Sequence, residues 1–163
     1  PPEDLTLLLE QPEPLFLILE NLQDPGNLGT MIRTGEGAGI TGVIMNQQTV
    51  DIFNPKTIRA TMGSIFRVPF VYVPELSTVL TQMHEKGIHT YAAHLKGQKY
   101  YDSFSFREPT AFLIGNEGNG LTKEISDQAG QYLKIPMEGK VESLNASIAA
   151  ALLMYEAHRQ RNL

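Results

Sequence analysis

The sequence predicts an α/β domain built on a mostly parallel sheet with helices on both faces. Three observations carry that prediction. Short apolar runs alternate with segments of helical periodicity along nearly the whole chain. The runs lack the in-and-out alternation of half-exposed strands, so they read as strands covered on both sides. Finally, 163 residues with 42% hydrophobic and 19% charged content can bury one sizeable core but leave no room for a second large domain.

Leu15-Phe16-Leu17-Ile18-Leu19, bounded by the proline-punctuated Pro12-Glu13-Pro14, is the first strand. From Asn27 to about Ala38, Leu28, Met31 and Ile32 recur at helical spacing, and glycines then stop the helix. The alternation continues with a strand at 43–45, a helix at 54–62, a strand at 70–73 and a helix at 78–86. Strands at 90–93, 111–114 and 132–135 and helices at 122–129 and 144 to about 159 complete the pattern. Segment 96–106, with Tyr100, Tyr101, Phe104 and Phe106, is the least regular and reads as an excursion between two strands.

Gly37-Ala38-Gly39-Ile40-Thr41-Gly42 matches the G-x-G-x-x-G of dinucleotide-binding turns. Such a turn needs a strand before it and a helix after it, so that helix amides face the phosphate. Here a helix precedes and a strand follows, and Asp51 comes too soon to serve as the ribose-binding acid. The glycines therefore read as a helix stop and a turn.

There are no cysteines, which excludes a disulfide scaffold, a thiolate zinc site and a cysteine nucleophile and suits a reducing cytosol. The four histidines show no ligand spacing, so no metal is expected. A net charge of -5 weighs against a surface that grips nucleic acid everywhere and leaves room for a local basic site. No apolar run reaches the about 20 residues needed to span a bilayer. The chain begins Pro1-Pro2 without a methionine, and residues 1–14 read as a linker or extension left after trimming of an upstream domain.

Ligands of parallel sheets bind beyond the carboxyl ends of strands, and three polar clusters stand there. The first is Asn21-Leu22-Gln23-Asp24-Pro25-Gly26-Asn27-Leu28-Gly29 with Arg33 on the following helix; Asn27 suits an N-cap and Asp24-Pro25-Gly26 a turn, which leaves Arg33 unexplained. The second, Gly115-Asn116-Glu117-Gly118-Asn119-Gly120, allows close backbone approach to a ligand. The third runs from Ile135-Pro136-Met137 to Ser143-Leu144-Asn145-Ala146-Ser147, where Ser143 or Asn145 also suits a cap for a final helix rich in alanine.

Taken in order, the three clusters resemble the signature of the SpoU (TrmH-type) group of the SPOUT RNA methyltransferases. Residues 54–63, with Lys56, Arg59, Ala60 and Gly63, also resemble the family. The resemblance implies an α/β fold with a C-terminal trefoil knot over residues 15–163, a departure from the usual avoidance of knots. It implies S-adenosylmethionine as the methyl donor, held by Ala92 and Ala93, by Leu113, Ile114, Gly115, Asn116 and Gly120, and by Ile135, Met137 and Leu144. It implies methyl transfer to a ribose 2′-hydroxyl by Arg33, with Glu117, Asn145, Asn21 and Ser143 around it and Glu117 orienting Arg33 or loop amides. The implied protein is a cytoplasmic homodimer, joined through the final helix and knot, whose Arg33 reaches the partner's donor. Ribosomal RNA is the favoured substrate, with Lys56, Arg59 and Arg67 beside Arg33 as a basic rim; transfer RNA, or a dimeric module that binds donor or RNA without catalysis, are the alternatives.

Overall fold

The computed structural model describes residues 3–94, 97–140 and 144–163. Among these, six strands form one parallel sheet in the order β3-β2-β1-β5-β4-β6. The strands are β1 (Leu15–Leu19), β2 (Gly42–Asn46), β3 (Phe70–Val73), β4 (His89–Ala93), β5 (Thr110–Ile114) and β6 (Gln131–Leu133). Every residue of β1, β2 and β5 is buried, because helices cover both faces.

Successive side chains of a strand point to opposite faces, so β1 divides its residues between two cores. Leu15, Leu17 and Leu19 pack with Met31 and Ile32 of α2 (Pro25–Ala38) and with Leu153 and Met154 of α6 (Ala146–Arg161). Phe16 and Ile18 face the other way, onto Leu8 and Leu9 of α1 (Leu5–Leu9), Val79, Leu80 and Met83 of α4 (Leu76–Glu85) and Ile125 of α5 (Lys123–Gln128). Each such side chain contributes about 1.5–3 kcal/mol when fully buried. That two-sided demand is why the strand shows no polar alternation.

Helix α2 begins earlier than the sequence pattern indicates. Asp24, not Asn27, is its N-cap, its side chain accepting from the Asn27 N–H at 3.0 Å, and Pro25 occupies the first turn, where its missing N–H costs nothing. The helix stops at Gly39, whose φ of 80° needs glycine, and β2 follows, so the glycine run is the expected stop and turn. Gly29 lets α3 (Pro55–Thr61) lie against α2: a Cβ there would stand 2.4 Å from Ala60 Cβ and 2.6 Å from Thr57 O.

Other boundaries move by small amounts. α4 starts at Leu76, β6 ends at Leu133 with Ile135 beyond it, and α6 runs from Ala146 to Arg161. Residues 5–9, within the segment read as a linker, form α1, which buries Leu8 and Leu9 and is capped by Asp4. The described part of the excursion, 97–106, is irregular yet anchored. Phe104 and Phe106 meet Tyr91 edge-on at 5.3 and 5.1 Å between ring centroids. Buried Gln160 of α6 accepts from the Phe106 N–H and donates to the Phe104 carbonyl, and Arg161 donates to carbonyls of Phe106, Glu13, Pro14 and Glu108.

Candidate active site

A crevice opens where the chain order of a parallel sheet reverses. Here that point lies between β1 and β5: the chain leaves β1 for β2 and β3 on one side, while β5, β4 and β6 lie on the other. Leu19 pairs with Ile114 at the carboxyl ends, and the Glu20 N–H donates to the Ile114 carbonyl at 3.0 Å. The first two polar clusters are therefore neighbours in space.

Side-chain hydrogen bonds lock them together. The Glu117 carboxylate accepts from the backbone N–H of Gln23 (3.0 Å) and Asp24 (2.7 Å) and from the Asn27 amide (3.4 Å). Burial pushes its pKa up, but these donors outweigh burial and hold it below the ordinary carboxylate value. The Asn116 amide donates to the Asn21 carbonyl at 2.8 Å, while its Oδ1 accepts from the N–H groups of Gly118 and Asn119 and closes the loop. Gly115 must be glycine, since a Cβ would stand 2.2 Å from Gly120 C and Leu121 N, and Gly120 has a φ of 71°.

Asn21 itself sits at φ 57°, a left-handed conformation that asparagine tolerates better than most residues. It exchanges two hydrogen bonds with Asn46 at the end of β2: its N–H donates to Asn46 Oδ1 at 2.9 Å, and Asn46 Nδ2 donates to its Oδ1 at 2.8 Å. Asn46 and the buried Glu20, which accepts from the Thr122 N–H and hydroxyl at 2.7 and 2.8 Å, were missed from the sequence. Their signal was a polar residue closing an otherwise apolar strand run.

Arg33 lies on α2, exposed, and makes no hydrogen bond or ion pair with a described residue. Of the two roles expected for Glu117, the structure shows the loop amides: its carboxylate accepts from the turn at the start of α2 and makes no bond to Arg33. Arg67 also leaves the expected basic rim: it is paired with Glu36 of α2 and so is not a free cation. Lys56 and Arg59 remain exposed and unpaired among the described residues.

Asn145 is the N-cap of α6, its Oδ1 accepting from the Ser147 N–H (2.8 Å), the Ser147 hydroxyl (2.6 Å) and the Ile148 N–H (3.4 Å). Its Nδ2 has no partner among the described residues and is available as a donor. Ser143 lies outside the described residues. Ala92 faces Leu113 across β4 and β5 and Tyr132 across β4 and β6, so the strand ends holding Ala92, Ala93, Leu113 and Ile114 adjoin. Ile135 and Met137 follow β6, half-buried, with backbone groups that pair with no described residue. Leu144, half-buried, precedes α6. Among the described residues, no group of histidine, aspartate and glutamate could hold a metal ion, and no helix is long and apolar enough to cross a membrane.

Beside α2 and α6 runs a groove of about 480 Å³, lined by Thr30, Thr34, Tyr101, Ile148, Leu152 and Tyr155 among others. Ile148, Leu152 and Tyr155 are 52, 36 and 45% exposed, an unpaired apolar face on the final helix.

The model of the SpoU rRNA Methylase family matches residues 14–155, which include all three clusters. The chain belongs to that family. Among curated relatives, a putative TrmH family tRNA/rRNA methyltransferase of Bacillus subtilis is 36% identical over 150 residues, covering 92% of this chain and 60% of the relative. A 23S rRNA (guanosine(2553)-2′-O)-methyltransferase of the same organism is 37% identical over 139 residues, covering 85% of this chain and 56% of the relative. The chain thus spans somewhat over half the length of the curated relatives it matches. Among solved structures, the SpoU methyltransferase AviRb from Streptomyces viridochromogenes in complex with AdoMet superposes with a TM-score of 0.91 at 32% identity, over 99% of this chain and 63% of that one. The SpoU family chain described here therefore shares its fold with a donor-bound methyltransferase.

Proposed function

We propose that this SpoU family chain transfers a methyl group from S-adenosylmethionine to a ribose 2′-hydroxyl of structured RNA, with ribosomal RNA as the favoured substrate. The observation that carries the reading is the hydrogen-bonded fusion of the clusters after β1 and β5 at the sheet's reversal point, with Arg33 left uncommitted on the helix that follows. Residues 15–163 are the proposed catalytic domain, and a knotted C-terminal segment, a homodimer and a cytoplasmic location go with it.

The residues present suit the donor. Adjoining apolar strand ends at Ala92, Leu113 and Ile114, and backbone groups of Ile135 and Met137 without described partners, match a flat, largely apolar purine with polar edges. Gly115, Asn116, Gly120 and Leu144 complete the proposed lining. The bound sulfonium supplies an already activated methyl group, so neither a metal nor a covalent enzyme intermediate is required.

What remains for the protein is to align the ribose oxygen and manage its proton. A guanidinium stays protonated to a pKa above about 12, so Arg33 serves as a hydrogen-bond donor to the developing alkoxide rather than as a base. A phosphate of the substrate shares the Arg33 hydrogen bond, and the hydroxyl proton passes to solvent as the carbon–oxygen bond forms and the carbon–sulfur bond breaks. Asn145, whose Nδ2 is available, donates to the hydroxyl or donor, while Asn21 and Glu117 fix the loops. Ser143 is proposed to brace the third cluster. The apolar face of α6 and the adjoining groove support a homodimer in which Arg33 serves the partner's site.

Transfer RNA is the second reading, favoured by the tRNA/rRNA wording attached to the Bacillus subtilis relative. Mass mapping of 2′-O-methyl nucleotides in total RNA, with and without the gene, tests both at once. One ribosomal 2′-O-methyl mark lost on deletion is the expected result; a lost transfer-RNA mark selects the second reading, and an unchanged map overturns both.

A further inference from the structure

Arg33 shares α2 with Glu36, three residues on. Residues so spaced are helix-surface neighbours, and an arginine and a glutamate there attract each other, somewhat more when the acid comes first. On α6, where the acid does come first, Glu156 and Arg159, also three apart, form a two-pronged ion pair with both bonds at 2.9 Å. On α2 the pair does not form. The Glu36 carboxylate is instead taken by groups from outside the helix: Ser64 Oγ donates to Oε1 at 2.7 Å, Arg67 Nη2 donates to Oε1 at 3.0 Å, and Arg67 Nε donates to Oε2. These donors lower the carboxyl's pKa to about 2, and since a glutamate is charged at neutral pH even without them, it would attract Arg33 if released.

We propose that Arg67 and Ser64 are positioning residues that sequester the Glu36 carboxylate and keep the Arg33 guanidinium free for the substrate oxygen. The inference rests on the assignment of Arg33 given under the proposed function. Backbone geometry brings both residues to the carboxylate. Gly63, at φ 91°, follows Met62, at φ 51°, and this left-handed pair ends α3 so that the chain reverses toward α2. Helix α3 is in turn fixed to α2 by the Gly29–Ala60 approach and by the Thr57 hydroxyl donating to the Pro25 carbonyl at 3.0 Å. The clamp thus has a rigid base.

The test compares three variants of the whole protein at matched folding, checked by melting midpoint: Arg67→Met, Glu36→Ala and the double variant. Arg67→Met should lower kcat roughly threefold to tenfold, more than a loose surface pair is worth and less than the about hundredfold cost of deleting an electrostatic donor outright. Glu36→Ala breaks the same ion pair and should stay within about twofold of the parent, and the double variant should recover the parent rate. Equal losses in Arg67→Met and Glu36→Ala would show a merely structural tie and overturn the proposal. A loss confined to KM for RNA and unrescued in the double variant would make Arg67 an RNA contact and overturn it too.

A second readout is independent of turnover: in side-chain NMR of arginine-labelled protein, the Arg33 Nε–H should shift on Arg67→Met and revert in the double variant. No shift contradicts the clamp even if the parent transfers no methyl group, whereas an inactive parent with that shift refutes only the proposed function.

Discussion

Arg33 is distinguished less by its own contacts than by its setting: the carboxylate of Glu36, three residues on, is engaged by Arg67 and Ser64, and that of Glu117 by the turn at the start of α2. Arg33→Ala should cut methyl transfer by about a hundredfold or more while donor affinity, read by calorimetry, stays within about threefold. Near-normal transfer would remove Arg33 from the mechanism. Glu117 carries a pH prediction. Its folded pKa lies below its ordinary 4.5, so the stability it contributes is present above that value and is lost as pH falls through the lower folded one. Protection of the Gln23 and Asp24 amides, taken relative to the intrinsic exchange rate at each pH, should therefore fall as pH drops below about 4.5, and Glu117→Gln should abolish that dependence. The sequence offered the residue types of this site but not their partners. Asn21 and Glu117 stand out in it, whereas the Asn46 and Gln23 groups they hold lie 25 and 94 positions away, a distance only folding closes.

Among elements, those marked by an apolar run or helical spacing were legible even when short, as at β3, β6, α3 and α5, and α1 was not. β1 follows from its apolar run and α2 from its apolar spacing, while α1 has five residues, too few for a helical repeat to register. Asp24-Pro25-Gly26 reads as a turn because the same residues serve turns and helix starts; only the capping bond to Asn27 decides between them. The α6 cap yields a prediction that separates two roles of one side chain. Asn145→Ala removes an oxygen that accepts from Ser147 and Ile148 and should cost about 1 kcal/mol, a fall of about 2–4 °C in melting midpoint. Asn145→Asp keeps that oxygen and discards the amide donor. It should melt near the parent yet transfer at least tenfold more slowly if the donor touches substrate; parent-like transfer would leave Asn145 a cap alone.

In the whole molecule, the amino ends of the two central strands are tied together by the last turn of α6. Arg161, partly buried and serving only backbone carbonyls, ties Pro14 before β1 to Phe106 and Glu108 before β5. Burial pushes its pKa below the ordinary arginine value, yet it stays charged at any physiological pH. Arg161→Met leaves the Phe106 and Glu13 carbonyls without a described donor, while those of Pro14 and Glu108 keep the Thr110 N–H and hydroxyl, and it should destabilise the protein by about 1–3 kcal/mol, seen as a lower urea midpoint; Arg161→Lys should recover only part, since an ammonium cannot span that fork. The exposed Ile148, Leu152 and Tyr155 face is the proposed seat of a second copy, so Leu152→Glu should yield monomers by sedimentation and abolish transfer. Continued dimerisation of that variant would place the interface elsewhere. Such assembly was inferred from resemblance alone, because alanines at 146, 149, 150 and 151 say that a helix can pack closely without saying against what.

The central claim is that the fused loops after β1 and β5 present a free Arg33 to a sugar oxygen, and nucleoside analysis of RNA methylated in vitro with isotopically labelled S-adenosylmethionine tests it most directly. The expected result is label on a ribose 2′-oxygen with the parent protein and none above background with Arg33→Ala, donor binding being equal. Label on a base, or equal label from both proteins, would contradict it.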